Sequence, residues 1–169
     1  MELYEGILTR RSIRKFTNQA VEPDQVEKIL TAAMFAPSGM NMQSWQFVVI
    51  TERELLEAIP AVHPNASMTP QAALAIVVCG DEDIQPSEPR WVINCSAASL
   101  NIMLAAHALG LGSVWCGVYP DAARQSGIKR MLKLPDHIHP FSLLPIGHPD
   151  ESPEPGERFK VERVHYNLW

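Results

Sequence analysis

From Trp91 to Pro120, thirty consecutive residues include no Asp, Glu, Lys or Arg. A surface helix ordinarily carries charge on its outer face, so a stretch this long constrains the fold. One alternative is a membrane span, which needs about 20 predominantly apolar residues without polar groups at its centre. Asn94, Ser96, Ser99, Asn101 and His107 punctuate the stretch, and Gly110 and Gly112 interrupt its end. Deep burial in a water-soluble fold is therefore expected, with no membrane partner. The chain has 169 residues, 46% hydrophobic and 20% charged, which fits one globular domain over residues 1–169. A domain of this size buries only about 70% of its unfolded surface, so it has limited capacity to hide such a helix alone. The balance of 14 Lys+Arg against 19 Asp+Glu argues against a nucleic-acid or anionic-membrane binder, whose footprint is net basic.

The start, Met1 to Glu5, has no basic region followed by an apolar stretch, so no secretory signal is expected. Cys79, Cys95 and Cys116 are odd in number, form no CxxC pair and sit in apolar contexts. They read as reduced core thiols in a cytoplasm.

Glu22-Pro23-Asp24 opens a helix in which Val26, Ile29, Leu30, Ala33 and Met34 share one face, and Pro37 stops it. Trp45 to Ile50 is β-branched and aromatic enough for a strand, and Glu52 to Ile59 reads as a short helix. The continuous apolar run Leu74 to Cys79 predicts a strand covered on both faces. A short connection, Asp81 to Arg90, leads to a helix over about Trp91 to Leu109, closed by Gly110. Ser113 to Tyr119 predicts a strand, Asp121 a cap for a helix reaching about Leu132, and Phe141 to Ile146 a last strand weakened by Pro145. The tail from Pro149 is rich in proline and charge, yet Phe159, Tyr166, Leu168 and Trp169 would gain by docking on something. Alternating helices and strands make this an α+β or α/β layered domain.

Three segments could carry chemistry. Arg10, Arg11, Arg14 and Lys15 concentrate positive charge in an acidic chain, with the Ser12 hydroxyl among them. Such a group can cradle a phosphate, or it can be a solvated basic patch. Ala36 to Gln43 puts small residues, the Ser38 hydroxyl and the Asn41 and Gln43 amides in one loop. Those groups can meet a ring presenting donors and acceptors, or serve ordinary turn chemistry. In Gly110 to Gly117 the glycines follow a helix and precede a strand, the reverse of a dinucleotide fingerprint, and no phosphate-binding GxxxxGK[ST] loop occurs. Gly117 instead marks a place where backbone can approach a planar ligand. The six histidines form no HExxH or Cys/His cluster, so no metal is expected.

Taken in order, Arg10-Arg11-Ser12-Ile13-Arg14-Lys15-Phe16, the Ala36-Pro37-Ser38…Asn41…Gln43…Trp45…Phe47 run and Gly110-Leu111-Gly112-Ser113…Gly117 resemble the nitroreductase family of FMN-dependent oxidoreductases. The likeness runs from about residue 3 to the end, including Ile146-Gly147-His148-Pro149 and Arg158…Val164-His165-Tyr166. It implies an α+β nitroreductase-like fold, with a central, mostly antiparallel sheet flanked by helices. It also implies a domain-swapped-like homodimer with FMN, bound tightly and non-covalently, at the subunit interface. By that likeness Arg10 and Ser12 hold the FMN phosphate and ribityl chain, Arg158 completes the phosphate clamp, and Arg11 contributes through its backbone. Arg14 stands beside the pyrimidine edge of the ring. Pro37, Ser38, Gly39, Asn41 and Gln43 come from the partner subunit, and Trp115, Cys116 and Gly117 lie by the N5 side. Gly39 and Ser44 depart from the family's usual serine and proline.

The implied activity takes hydride from NADH or NADPH in a ping-pong cycle and passes electrons to a small-molecule acceptor, a nitroaromatic, a quinone or a related electrophile. No catalytic side chain is expected, because the chemistry belongs to the cofactor. A flavin or ene-type reductase with incidental nitro activity, or a non-catalytic FMN-binding or storage protein, are the alternatives.

Overall fold

The computed structural model describes residues 2–154 and 156–169; Met1 and Pro155 lie outside them. In chain order the helices are α1 (Leu3–Thr9), α2 (Pro23–Met34), α3 (Arg53–Val62), α4 (Glu88–Ala108) and α5 (Ala122–Leu132). The strands are β1 (Trp45–Ile50), β2 (Leu74–Asp81), β3 (Gly112–Ser113), β4 (Cys116–Gly117) and β5 (Ile138–Gly147). They form one sheet in the order β1-β2-β5-β3, with β4 also on β5, and every pairing between named strands is antiparallel.

β2 is the centre, and all eight of its residues are buried. Its alternating side chains sort the core into two layers. Ala75, Val77 and Cys79 pack with Leu56 and Ile59 of α3 and Ile128 of α5, while Leu74, Ile76 and Val78 pack with Ile29 and Ala33 of α2 and Ala98 and Ile102 of α4. The sheet thus lies between α3 and α5 on one side and α2 and α4 on the other. The expected α+β class with a mostly antiparallel sheet is the observed one.

Local signals explain most element ends. Glu22 and Gln25 form a reciprocal capping box around Pro23 at the start of α2. Asp121 caps α5 by accepting from the Arg124 backbone N–H at 3.0 Å. Gly110 adopts φ +77°, and the Leu111 N–H reaches back to the Ala106 carbonyl at 2.8 Å, closing α4. α4 begins at Glu88, three residues before the expected Trp91, because Pro89 fits a first helical turn. α1 carries no cap signal strong enough to be expected, and its Glu2 cap makes no side-chain hydrogen bond.

The expected strand Ser113 to Tyr119 is instead the two fragments β3 and β4. Both follow one register along β5: Ser113 faces Ile146 and Cys116 faces Leu143. Continuing that register puts Val114 opposite Pro145, which has no N–H to donate to the ladder. β5 itself runs past both its prolines. Pro140 sits where the register against β2 shifts between Val78 and Cys79, and Pro145 sits at the gap between β3 and β4.

Candidate cofactor site

The two ends of the chain are stitched together. Ser12 bridges Ser113 in parallel, and Phe16 bridges Pro149. The Ile13 N–H donates to the Ser113 carbonyl at 3.0 Å, and the Thr17 N–H donates to that of His148 at 2.9 Å. The Glu151 carboxylate accepts from the Arg14 and Lys15 backbone N–H groups. Gly112 permits this approach, since a Cβ there would lie 2.7 Å from Ile13 Cβ.

That stitching brings Arg10 and Arg11 against the C-terminal segment, where the Arg11 guanidinium reaches the Glu154 carbonyl and the charge of Arg158 acts on Arg10. A cavity of about 270 Å³ opens among Thr9, Arg10, Arg11, His107, Ser113 and Ser152. Nη1 of Arg10 and Nη2 of Arg11 are buried there with no hydrogen-bond partner. Burial, then the charges of Arg158 and Arg11, lower the Arg10 pKa from its ordinary value. Burial, then Arg10 and Arg11, do the same to His107, whose Nε2 meets the Thr9 hydroxyl at 2.9 Å. Desolvated guanidinium N–H groups without acceptors, beside like charges, are relieved by a multiply charged anion. A phosphate monoester fits this donor set. Arg11 anchors the turn as well, its guanidinium donating to the carbonyls of Leu8, Arg10 and Glu154.

A second group surrounds β4. The Gly117 carbonyl faces Nε2 of His63 at 2.9 Å and accepts from Nη1 of Arg124 at 3.0 Å. Since Nε2 of the buried His63 ring faces an acceptor, it donates there, and Nδ1 is left with no partner. Burial pushes the Cys116 thiol up to about 11, opposed by the charges of Arg14 and Arg124. The thiol is therefore protonated at neutral pH rather than a nucleophile. Trp115 is half-buried and meets Phe141 edge-on at 5.6 Å.

The third group is the loop between α2 and β1. Pro37, Gly39, Asn41 and Gln43 are exposed, and Ser38 is half-buried. Met40, Asn41 and Gln43 take left-handed φ values of 55°, 55° and 50°. The Gln43 N–H donates to Ser38 Oγ at 3.0 Å, and Gln43 Nε2 donates to Asn41 Oδ1 at 3.1 Å. The loop is tied to Asn94 on α4, whereas the cationic cavity adjoins His107 on the same helix. Thirteen helical residues separate those positions, about 20 Å along the axis. The chain thus puts Arg10 and Arg11 on one cavity, with Ser12 next in sequence and the charge of Arg158 acting on Arg10, but holds Pro37–Gln43 at the other end of α4.

Among the described residues Asp81, Asp83 and His137 bring possible metal-ligand atoms within 4.8 Å of one another. The Asp81 carboxylate is already used there: Oδ1 accepts from the N–H groups of Asp83 and Ile84, and Oδ2 from Gln46 Nε2. Among the described residues no helix is long and apolar enough to cross a membrane. Sequence reasoning did not single out Thr9, His63, Asn94, His107 or Arg124 as site residues. Asn94 and His107 left a trace, as polar residues inside an otherwise apolar helix.

The arrangement has close relatives. The chain matches the profile of the Nitroreductase family over residues 7–76 and 61–148. A Methanothermobacter thermautotrophicus protein named "Putative NADH dehydrogenase/NAD(P)H nitroreductase" is 46% identical over 169 residues, covering 100% of this chain and 88% of that one. A Parabacteroides distasonis crystal structure carrying the same name superposes with a TM-score of 0.95 at 38% identity, covering 99% of this chain and 98% of the other. An FMN-dependent nitroreductase from Clostridium difficile R20291 gives a TM-score of 0.90 at 31% identity over 98% and 99% of the two chains. The chain belongs to the nitroreductase family.

Proposed function

We propose that this protein is a homodimeric FMN-dependent NAD(P)H oxidoreductase that reduces nitroaromatics, quinones or related small electrophiles. One observation carries the reading: Arg10 and Arg11 line a cavity with buried, unpartnered guanidinium nitrogens, and the charge of Arg158 adds to theirs. The FMN phosphate is that anion. Ser12 and the Arg11 backbone steer the ribityl chain toward β4. Bound FMN supplies the hydride acceptor for NADH or NADPH and the electron donor for the second substrate, which use one ring face in turn. Arg14 presents its cation where negative charge accumulates on reduction, and so favours the reduced state. Trp115, Cys116 and Gly117 border the ring, with Gly117 held from behind by His63 and Arg124. Protons come from water, and no side chain is required as nucleophile. The cell compartment in this reading is the cytoplasm, where the three buried cysteines stay reduced thiols.

The dimer is supported by what one chain leaves uncovered. Leu3, Tyr4, Ile7 and Leu8 of α1, Phe35, and Ile93 and Leu100 of the uncharged helix are exposed. Phe159, Tyr166, Leu168 and Trp169 of the tail are exposed as well. Among the described residues β1 pairs only with β2, which leaves its other edge open. Beside that edge a groove of about 740 Å³ runs among Gln19, Val21, Val49, Arg53, Pro70 and Leu74. The partner's C-terminal residues occupy this groove in the exchanged dimer, and the loop Pro37–Gln43 of each chain borders the flavin of the other.

The test begins with the visible spectrum of the purified protein, which shows a flavin band after loading with FMN. Anaerobic NADH or NADPH bleaches that band, and a nitroaromatic or quinone restores it. A colourless protein that takes up no FMN sinks the reading. FMN binding without bleaching by either donor indicates flavin storage, and faster reoxidation by free flavin than by nitroaromatics indicates a flavin reductase.

A further inference from the structure

Asn94 is 1% exposed in the second turn of the uncharged helix, and both ends of its amide are used. Oδ1 accepts from the Gly39 N–H at 3.0 Å, and Nδ2 donates to Ser44 Oγ at 2.9 Å. The amide orientation follows from Gly39, which can only donate. One side chain therefore grips the loop near its start and at its end, and Ser44 is itself fully buried. Between the grips lie Met40, Asn41 and Gln43, three non-glycine residues in left-handed backbone. Such conformations persist only where surrounding contacts over-determine them, and they collect at functional sites. Asparagine tolerates that region, whereas methionine and glutamine enter it rarely. Most other restraints are local, from the Gln43 N–H to Ser38 Oγ and from Gln43 Nε2 to Asn41 Oδ1. Among the described residues the one other side-chain link to α4 is a long contact from Arg90 Nη1 to Met40 Sδ at 3.8 Å, between two exposed residues. Ser44 continues the anchor, since its carbonyl accepts from the Asp81 N–H at 2.8 Å.

We propose that Asn94 is a positioning residue that preforms the loop Ser38–Gln43 and thereby completes, in trans, the flavin site of the partner subunit. The inference rests on the reading that this loop borders the partner's flavin. A preformed loop adds its contacts to FMN without the entropy of ordering it at the moment of binding. The helix that forms the subunit interface then also sets one wall of the cofactor site, so dimer formation and FMN affinity are coupled through one amide.

The experiment measures FMN affinity and stoichiometry in dimers of known composition. Asn94→Leu removes both grips at similar volume and weakens FMN binding at least tenfold, equivalent to about 1.4 kcal/mol. Asn94→Asp, which can accept from both Gly39 and the Ser44 hydroxyl, recovers part of that loss. Ile102→Ala, in the same helix and core, lowers the melting temperature without changing FMN affinity. A dimer mixing one Asn94→Leu subunit with one Arg10→Ala subunit binds one FMN tightly. The first subunit supplies intact arginines and the second an intact loop.

No tight site in the mixed dimer, or wild-type affinity in the Asn94→Leu dimer, overturns the proposal. Should Asn94→Leu not fold, Ser44→Ala removes one grip in the same titration, and unchanged affinity is equally decisive. Wild-type affinity in the Arg10→Ala homodimer would instead count against the phosphate assignment beneath it.

Discussion

Arg10 has its guanidinium desolvated, one nitrogen without an acceptor, and two like charges beside it. This is an unfavourable state for the empty protein and a favourable one for binding a dianion. Replacing Arg10 with Ala is expected to weaken FMN binding by roughly ten- to a hundredfold, since a hydrogen bond to a charged group contributes about 1.5–3 kcal/mol. Arg158→Ala acts in the same direction. In the FMN-free protein Arg10→Met should leave the melting temperature unchanged or raise it, because it removes repulsion while keeping apolar volume. Comparing thermal scans with and without FMN separates the two effects. The cysteines give the residue scale a pH signature. Burial raises Cys79 to about 12 and Cys116 to about 11, from an ordinary 9.0. The folded state therefore holds protons that the unfolded state releases above about pH 9, and stability falls as pH rises from there toward 11 and 12. Denaturant midpoints between pH 8 and 11 check this, with a shallower fall expected for Cys116→Ala.

At the scale of elements, local chemistry and register divide the work. α2, β1 and α5 have boundaries close to those readable in the chain, because Pro23, the β-branched run after Trp45 and Asp121 act on their immediate neighbours. The break between β3 and β4 could not be read there, because it depends on which residue of β5 lies opposite Val114. The same holds for the site. Arg10, Arg11 and Ser12 stood out as a charge cluster, and the loop amides as turn-like polar residues. Arg158 entered only through family resemblance, and His63, Arg124 and Asn94 became visible only once strands and helices were packed. Asp121 joins the two levels. Its carboxylate caps α5 and pairs with Arg124 Nε at 3.3 Å, while the same guanidinium reaches the Gly117 carbonyl. Asp121→Ala should cost about 1 kcal/mol of stability by loss of the cap. It should also alter the near-UV and visible circular dichroism of bound FMN as Gly117 loses one of its holders. Gly112→Ala is the sharper element test. Its Cβ would lie 2.7 Å from Ile13, so the arginine segment must shift and FMN affinity should fall more than stability does.

For the whole molecule, apolar surface left uncovered by one chain is the dominant fact. Removing Val161–Trp169 should convert the dimer to monomer in light scattering and abolish tight FMN binding, though the cationic cavity has no lining residue from that segment. A truncated monomer that retains wild-type FMN affinity would refute the shared site.

Composition and pattern were enough by themselves to establish a layered chain of mixed helices and strands, a strand covered on both faces, a buried uncharged helix and a basic cluster. These follow from periodicity, caps and charge, which act between residues near in sequence. The choice of α+β and of a phosphate came from family resemblance. Only the tertiary structure decided where those pieces meet. Residues more than a hundred positions apart converge, as Arg10 does with Arg158 and Ser12 with Ser113, through strand register and side-chain packing. The outward face of α4 shows the division most plainly. Its lack of charge was written in the sequence, but only folding determined that Asn94 turns inward to hold a loop while Ile93 and Leu100 turn out to the surface.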